Sequence, residues 1–600
     1  MVFYPPKWAG VLPRVPVDIS ISEFMLSERY GRAPLKKSRD PFTCGITGKS
    51  YSAEQVAERV DLLARALAEE LNWGANEGAN WDKTLGVYSV NTIDTLPLAW
   101  ATHRLGGIVT PANAAYSAKE LAYQLSDAKA KALFTCVPLL KTALEAAAKV
   151  GIPKERVYLL EIPEIISGPV PLGFKTVSQF IERGKSLPKL EDLKWPPGEG
   201  ERRVAFLCYS SGTSGLPVRG FSFLFQAGGS SMLTALQKGV MISHRNVIAN
   251  TMMIAAYEKS NRQLLKSAGS KGESTDVILG LLPQNHIYGL IVVCHAGPYR
   301  GDQVIVLPKF ELKTYLSAIQ RFEIASLIVV PPIVITMLRN HETCVKYDLS
   351  SVRVLVTGAA PLGEETAADF ERLYPQIKIL QAYGLTEACT IVCKTNEQEI
   401  FLGSSGCLVP GVEARIVSLD GKEVLTYDTP GELLVRSPSV TLGYLHNEEA
   451  TRETFQDGWV RTGDEAVVRL SPSGSEHIFV VDRIKELIKV KGFQVAPAEL
   501  EAHILTHPAV ADCAVIAIPD EAAGEIPKAL VVKSPSAGVD DETIIKSIKK
   551  YVEEHKARHK WLKGGVEFID AVPRNPSGKI LRRLLRDREK EKRRKAGSKL

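Results

Sequence analysis

The stretch Tyr209-Ser-Ser-Gly-Thr-Ser-Gly-Leu-Pro217 sets two glycines, Gly212 and Gly215, among the hydroxyls of Ser210, Ser211, Thr213 and Ser214. It directly follows the apolar run Val204-Ala-Phe-Leu-Cys208, which reads as a buried strand. Glycine after a strand lets the backbone turn sharply and expose successive N–H groups. Such a turn suits a polyphosphate. No Gly-Lys-Ser/Thr follows at Walker spacing. Taken alone, the stretch reads equally as a phosphate loop or as a Ser/Gly-rich surface turn.

Working outward, helical and strand-like patterns alternate. Ser52 is placed as the N-cap of a helix from Ala53. Strand-like runs follow at Leu85-Gly-Val-Tyr-Ser, Gly107-Ile-Val-Thr and Ala132-Leu-Phe-Thr, with helices between them. The alternation resumes at Val277-Ile-Leu-Gly, Gln303-Val-Ile-Val, Ser326-Leu-Ile-Val and Arg353-Val-Leu-Val. This predicts an α/β fold of parallel, doubly wound sheets with ligands at the carboxyl ends of strands. After about residue 400, short strands and Gly/Pro turns predict a β-rich subdomain running to 481. From Asp482 the chain reads as a small α+β domain, 482–585, followed by a basic tail, 586–600. Residues 1–35 read as an irregular, proline-rich arm, and 36–481 as the large domain.

Composition bounds the function. Six hundred residues require more than one core. The net charge of +6 is concentrated at the end: residues 581–600 hold ten Lys/Arg against three Asp/Glu, so the rest sums to about −1. A basic body for gripping nucleic acid is therefore not expected. Nine cysteines without a Cys-x-x-Cys pair read as reduced thiols rather than a disulfide frame or zinc site. His503/His507 and His555/His559 are spaced i, i+4 but enclose no Glu of a zinc protease helix, and are read as solvated helix faces. The apolar run 325–338 contains Pro331-Pro332 and is too short for a bilayer span. Ser598-Lys599-Leu600 on an exposed, charged tail reads as the address for the peroxisomal import receptor.

Further stretches recur in a fixed order. His286 follows Leu282-Pro-Gln-Asn, with Tyr288 behind it. Gly358-Ala359-Ala360-Pro361 follows a strand with small side chains suited to a flat ring. Gln381-Ala-Tyr-Gly-Leu-Thr-Glu brings Tyr383, Gly384, Thr386 and Glu387 together. Thr462-Gly-Asp464 sets a carboxylate after a strand, and Asp482-Arg483 opens a run carrying Lys485, Lys489, Lys491 and Gly492. Pro573-Arg-Asn-Pro-Ser-Gly-Lys579 holds a lysine on a turn. Singly, each has a plain reading: His286 as a packed histidine, Gly358-Ala-Ala-Pro as a tight turn, Asp482 or Lys579 as a surface residue.

Together, from about residue 50 to 590, they resemble the adenylate-forming superfamily, and within it acyl-CoA ligases of the 4-coumarate–CoA ligase type. The resemblance implies a large N-terminal domain of two doubly wound sheets plus a β-rich subdomain, and a mobile C-terminal lid. It implies ATP, CoA and Mg²⁺, and a small-molecule carboxylic acid as substrate. Ser210, Ser211, Gly212, Thr213 and Ser214 would hold the ATP phosphates with Lys238, and Glu387 would hold Mg²⁺. Gly358 to Pro361 and Tyr383 would line adenine, with Gly384 and Thr386 beside them. Asp464 and Arg483 would hold the ribose, with Lys485 and Lys489 adding positive charge. Asp482 would be the hinge. Lys579 would bridge acyl carboxylate and α-phosphate, His286 would gate the acid pocket, and Lys491 with Gly492 would meet CoA. Tyr288, Val292, Ala359, Gly384, Thr390 and Ile391 would line the acid. Val292 and Thr390 replace a serine and a proline of coumarate ligases, which points to an aryl-alkanoic or medium-chain aliphatic acid. A monomer in the peroxisome is expected.

Rivals are a carrier-loading adenylation domain, disfavoured because 21 residues follow Lys579, a luciferase-like oxygenase, and a catalytically silent nucleotide- or acyl-binding relative. The last arises because residues 218–237 interrupt the loop. Without them the text reads Ser-Ser-Gly-Thr-Ser-Gly-Leu-Pro-Lys-Gly-Val. Val218-Arg219 can encode a 5′ splice signal, Leu233-Thr234 a branch-site sequence and Gln237 a 3′ signal, so the segment reads as a retained intron. As a real insertion it would cost the fold only about 1 kcal/mol in loop closure, but would loosen the short turn expected to pin Lys238.

Overall fold

The computed structural model describes residues 1–210, 237–267, 275–418, 420–534, 537, 540–574 and 578–597. The expected alternation produces two large sheets. One has six strands in the order Val157–Leu159, Ala132–Thr135, Thr84–Tyr88, Ile108–Ala112, Val204–Ser210, Lys238–Ser243. The other has nine, with Lys378–Leu385, Val354–Thr357, Ser326–Val329, Val277–Gly280 and Gln303–Val306 adjacent and parallel at its centre. Ser52 caps the helix Ala53–Leu71, with Gln55 completing a capping box. Thr84–Tyr88 is buried at every position, as a central parallel strand covered on both faces should be.

The sheets are not parallel throughout. Lys238–Ser243 runs antiparallel to Val204–Ser210, with Ser210 opposite Lys238. Thr390–Lys394 likewise turns back on Lys378–Leu385. Antiparallel neighbours need no crossover helix.

The β-rich subdomain is a five-stranded antiparallel sheet in which Trp459–Leu470 pairs with both Gly431–Arg436 and Glu476–Arg483. The C-terminal sheet is built on the long hairpin of Val510–Asp520 and Gly524–Lys533. One buried apolar cluster runs from Phe3 to Ile478, and a second from Ile488 to Leu585. Fold class is thus α/β with a large N-terminal and a smaller C-terminal domain.

Several local readings change. The arm is partly helical, over Ile21–Leu26, and is tied down by Phe24 stacked on Tyr299 and by Phe3 bridged to Ala414. The basic tail begins as a helix, Arg582–Gly597, with Arg586 paired to Glu486 and Glu589 to Lys528. Charge that looked solvated is therefore partly spent on docking the helix. His503 and His507 are buried, His503 stacking on Tyr551 with ring centroids 4.5 Å apart. His559 stacks on Phe493. Aromatic packing between elements, invisible in the i, i+4 spacing, decided these histidines. The run 325–338 is a strand, Ser326–Val329, and a helix, Pro331–Arg339. Among the described residues no helix is long and apolar enough to cross a membrane, and no group of His, Cys, Asp and Glu is arranged to hold a metal ion.

Candidate active site

A cleft of about 980 Å³ opens at the carboxyl ends of the strands, between the large sheets, the β-rich subdomain and the C-terminal domain. Strand ends supply its walls because backbone there is released from the ladder and side chains can converge. Lys238, His286, Ala359, Ala360, Pro361, Tyr383, Gly384, Thr386, Glu387, Asp464, Asp482, Arg483, Lys485 and Lys579 all line it. Ser211, Gly212, Thr213 and Ser214, the side chain of Ser210, residues 218–236 of the interruption, and Ser598 to Leu600 lie outside the described residues.

Asp464 and Arg483 stand directly opposite each other on paired strands. The Arg483 Nε lies 2.9 Å from Asp464 Oδ1, and the Tyr383 hydroxyl donates to Asp464 Oδ2 at 2.6 Å. This carboxylate is buried and fixed, as a group accepting two vicinal hydroxyls would need to be. The Asp464 charge raises the Arg483 guanidinium further above its usual range.

Glu387 is oriented from the β-rich subdomain: the Tyr444 hydroxyl donates to its Oε1 at 2.7 Å. The ammonium of Lys238 sits 4.7 Å from the centre of the same Tyr444 ring. Burial lowers the Lys238 pKa, against the pull of Glu387. The pairing of Ser210 with Lys238 holds this lysine through its strand. The effect of the interruption on the placement of Lys238 relative to the phosphate loop falls on residues outside those described. Gln237 also anchors this flank, its side chain accepting from the Tyr116 hydroxyl and its carbonyl from Tyr123 at 3.2 Å.

Lys579 reaches into the cleft from the C-terminal domain. Burial, with the charge of Arg483, lowers its pKa from 10.5 to about 8, while Asp464 and Glu486 oppose the shift. His286 is depressed to about 4, by burial first and by Lys579 second, and is neutral at pH 7. Asp482 joins the domains: its Oδ1 accepts from the Arg483 N–H at 2.7 Å and its Oδ2 from the Ala498 N–H at 2.9 Å. Burial raises its carboxyl pKa, and Arg582 opposes that.

The expected acid-pocket residues separate into two groups. Ala359 and Gly384 line the cleft, whereas Tyr288, Val292 and Ile391 line an inner cavity of about 50 Å³, and Ala382 borders both. Tyr288 and Val292 lie on a π-helical turn, Tyr288–Val293, of the kind often found at functional sites. Thr390 lines neither space; its hydroxyl donates to the Ile287 carbonyl at 3.1 Å. Its positive φ of 108° brings backbone against Gly384, where any Cβ would lie 1.7 Å from the Thr390 oxygen. Gly358 is buried behind the platform, where a Cβ would meet the Ala382 carbonyl at 3.0 Å. Lys489, Lys491 and Gly492 are exposed on the hairpin of Ile488–Val490 and Phe493–Val495, outside the cleft.

Sequence reading missed Tyr444, which orients Glu387, and the buried pair Arg582–Glu501 at 2.6 Å beside Lys579. Arg582 is one of ten cations in a basic run, so nothing local marks it as buried.

Comparison with known proteins accounts for this arrangement. The model of the AMP-binding enzyme family matches residues 33–217 and 231–445, and that of the AMP-binding enzyme C-terminal domain matches 499–579. The unmatched gap, 218–230, falls inside the interruption. The acyl-CoA ligase easD of Emericella nidulans is 38% identical over 592 residues, covering 98% of this chain and all of that protein. The acyl-CoA ligase cm3C of Cordyceps militaris is 36% identical, covering 98% of this chain and 90% of its own. An anthranilate CoA ligase, AuaEII, solved with anthranoyl-AMP, superposes with a TM-score of 0.76 at 22% identity over 96% of this chain and 98% of its own. ATP-bound MatB from Rhodopseudomonas palustris superposes at 0.74 and 24% identity, covering 95% of this chain and 99% of its own. At those identities the solved structures speak for fold alone. The relatives do not favour a catalytically silent reading. A lysine, a neutral histidine and an anchored carboxylate converge on one cleft in a chain matched along most of its length by these models and relatives: it belongs to the AMP-binding enzyme family of adenylate-forming enzymes and is an ATP-dependent, AMP-forming acid–CoA ligase.

Proposed function

We propose that the acid is an aryl-alkanoic or medium-chain aliphatic one, and that the named cleft residues divide the two half-reactions between them. The observation that carries the acid class is the largely apolar inner wall of Tyr288, Val292 and Ile391. In the first half-reaction an acid carboxylate attacks the α-phosphorus of ATP, forming a mixed anhydride and releasing pyrophosphate. Two anions meet, so the protein contributes positioning and positive charge. Lys579 would bridge the two reacting anions, Lys238 and the loop from Ser210 would hold the other phosphates, and Asp464 with Arg483 would take the ribose. Neutral His286 would stand at the entrance to the acid pocket without adding charge.

The donor set at Glu387 fits Mg²⁺, because a carboxylate and the neighbouring Thr386 hydroxyl are hard oxygens and Tyr444 fixes the carboxylate's orientation. Bound there, the ion would neutralise polyphosphate charge. In the second half-reaction the CoA thiolate attacks the acyl carbon and AMP leaves. That attack would need Lys579 withdrawn and the Lys491–Gly492 turn brought in, through a hinge at Asp482 separating 36–481 from the lid, 482–585. Exposure of that turn while Lys579 occupies the cleft supports two alternating faces. A monomer is the proposed working unit. The terminal Ser598-Lys599-Leu600 supports import into peroxisomes.

The test is a panel of acids ranked by kcat/KM for acyl-CoA formation. Phenylalkanoic or medium-chain aliphatic acids should rank first. Coumarate at the head of the ranking would refute the acid class.

A further inference from the structure

The inner cavity runs down one face of the nine-stranded sheet. Its sheet wall is made by alternate residues: Val356 and Val354 on one strand, Ala382 and Leu380 on the next. Ala382, which it shares with the cleft, marks the upper end, where the Tyr288 hydroxyl reaches the Val356 carbonyl at 3.5 Å. The lower end is different in kind. There Arg353 pairs with Asp276 at 2.8 Å, and the Ser326 hydroxyl also points at Asp276, at 3.3 Å. Arg262 lies 2.7 Å from Asp302, and Arg300 2.9 Å. From the level of Gly358 to that of Arg353 is five strand residues, or about 17 Å at ~3.3 Å each.

The floor is ordered but not fully satisfied. The Arg300 side chain is 8% exposed, and its Nη1 is buried without a hydrogen-bond partner, with Glu258 Oε2 standing 3.3 Å off. That carboxylate meets the charge of Arg300, although the contact lacks hydrogen-bond geometry. On this measure the 50 Å³ of space would take roughly three to five waters. The floor also presents the carboxylates of Glu258, Asp276 and Glu397, ion-paired with Arg262, Arg300 and Arg353. Apolar walls above such a floor suit a chain that is apolar along its length and carries a hydroxyl at its tip, which can donate as well as accept. A methyl tip would displace water from the Arg300 end and replace none of its hydrogen bonds.

We propose that this cavity is the distal half of the acid pocket and that the substrate is a medium-chain aliphatic acid bearing a hydroxyl at its far end. The proposal rests on the ligase reading and narrows its acid class. Tyr288 forms the boundary between the carboxylate end in the cleft and the chain end in the cavity. Ile328, at mid-depth on the sheet wall, sets the bore.

The test pairs octanoic with 8-hydroxyoctanoic acid, and hexanoic with 6-hydroxyhexanoic acid, in ATP–pyrophosphate exchange and in acyl-CoA formation by the full chain. The longer hydroxy acid should exceed its methyl-tipped partner by about tenfold in kcat/KM, the worth of one buried hydrogen bond to a charged group. Ile328→Phe should abolish that preference. The wild-type comparison stands even if the variant fails to fold. Equal or better use of octanoate would overturn the polar floor while leaving the ligase reading intact. If no acid of either series drives exchange, the acid class and this proposal fall together. Retained preference in a folded Ile328→Phe would also overturn it, because the distal end would then lie elsewhere.

Discussion

Lys579 carries the sharpest consequence of the closed cleft. Lowering its pKa from 10.5 to about 8 means that the surroundings disfavour the ammonium by about 3 kcal/mol. The cause is removal from water next to Arg483, and the groups that restore the balance are the phosphate and carboxylate oxygens of the substrates. Two effects with opposite signs follow. Adenylation needs the charged form, so kcat/KM for pyrophosphate release should fall as pH rises through about 8. The ligand-free closed state behaves the other way: its lysine binds fewer protons than a solvated one between about pH 8 and 10.5, so closure becomes easier across that window. Lys579→Ala should remove a cation from the charge developing at phosphorus and lower adenylation by roughly 10²–10³-fold. Thioester formation from supplied acyl-adenylate should be largely unchanged. Lys579→Arg, which keeps its proton, should move the alkaline limb upward while lowering the rate. Stopped-flow measurement of the two half-reactions, with pH profiles for wild type and Lys579→Arg, checks all of this. Equal losses in both half-reactions, or an alkaline limb unmoved in Lys579→Arg, would refute the reasoning.

Three further outcomes are expected. Tyr383→Phe removes the 2.6 Å hydrogen bond that orients Asp464 and should raise the KM for ATP about fivefold to tenfold, the ~1 kcal/mol of one such bond, with little change in kcat; an unchanged KM would detach Asp464 from the nucleotide. Deleting residues 218–237 should make acyl-CoA faster than the full chain by restoring the short turn between the phosphate loop and Lys238; equal rates would mean the loop tolerates its interruption, and a dominant transcript carrying the segment would end the intron reading. Removing Leu600 should shift the protein from peroxisomes to cytosol, and unaltered imaging would discard the address.

The sequence by itself determined the fold class, the order of the strand-end motifs and the reaction. Each of these depends on short-range patterns: apolar runs of strand length, glycines where backbone must turn, and polar residues just past strand ends. Asp464 was legible as a motif carboxylate, though it sits within the strand Trp459–Leu470 and not past a strand end as expected; Gly384 was legible only through the resemblance, its forbidden Cβ being set by the Thr390 backbone. Only tertiary structure decided the rest. Tyr444 orients Glu387 from a strand connection 57 residues away. Arg582 is buried through its pairing with Glu501, 81 residues apart. His503 was settled by a stacking partner on another helix. Lys238 is held opposite Ser210 by strand register, a pairing between positions 28 residues apart. The inner cavity, finally, is bounded by the helix His244–Ser267, a π-helical turn and several strands. Desolvation and long-range ion pairing act on groups brought together only by folding, so neither leaves a periodic trace in the chain.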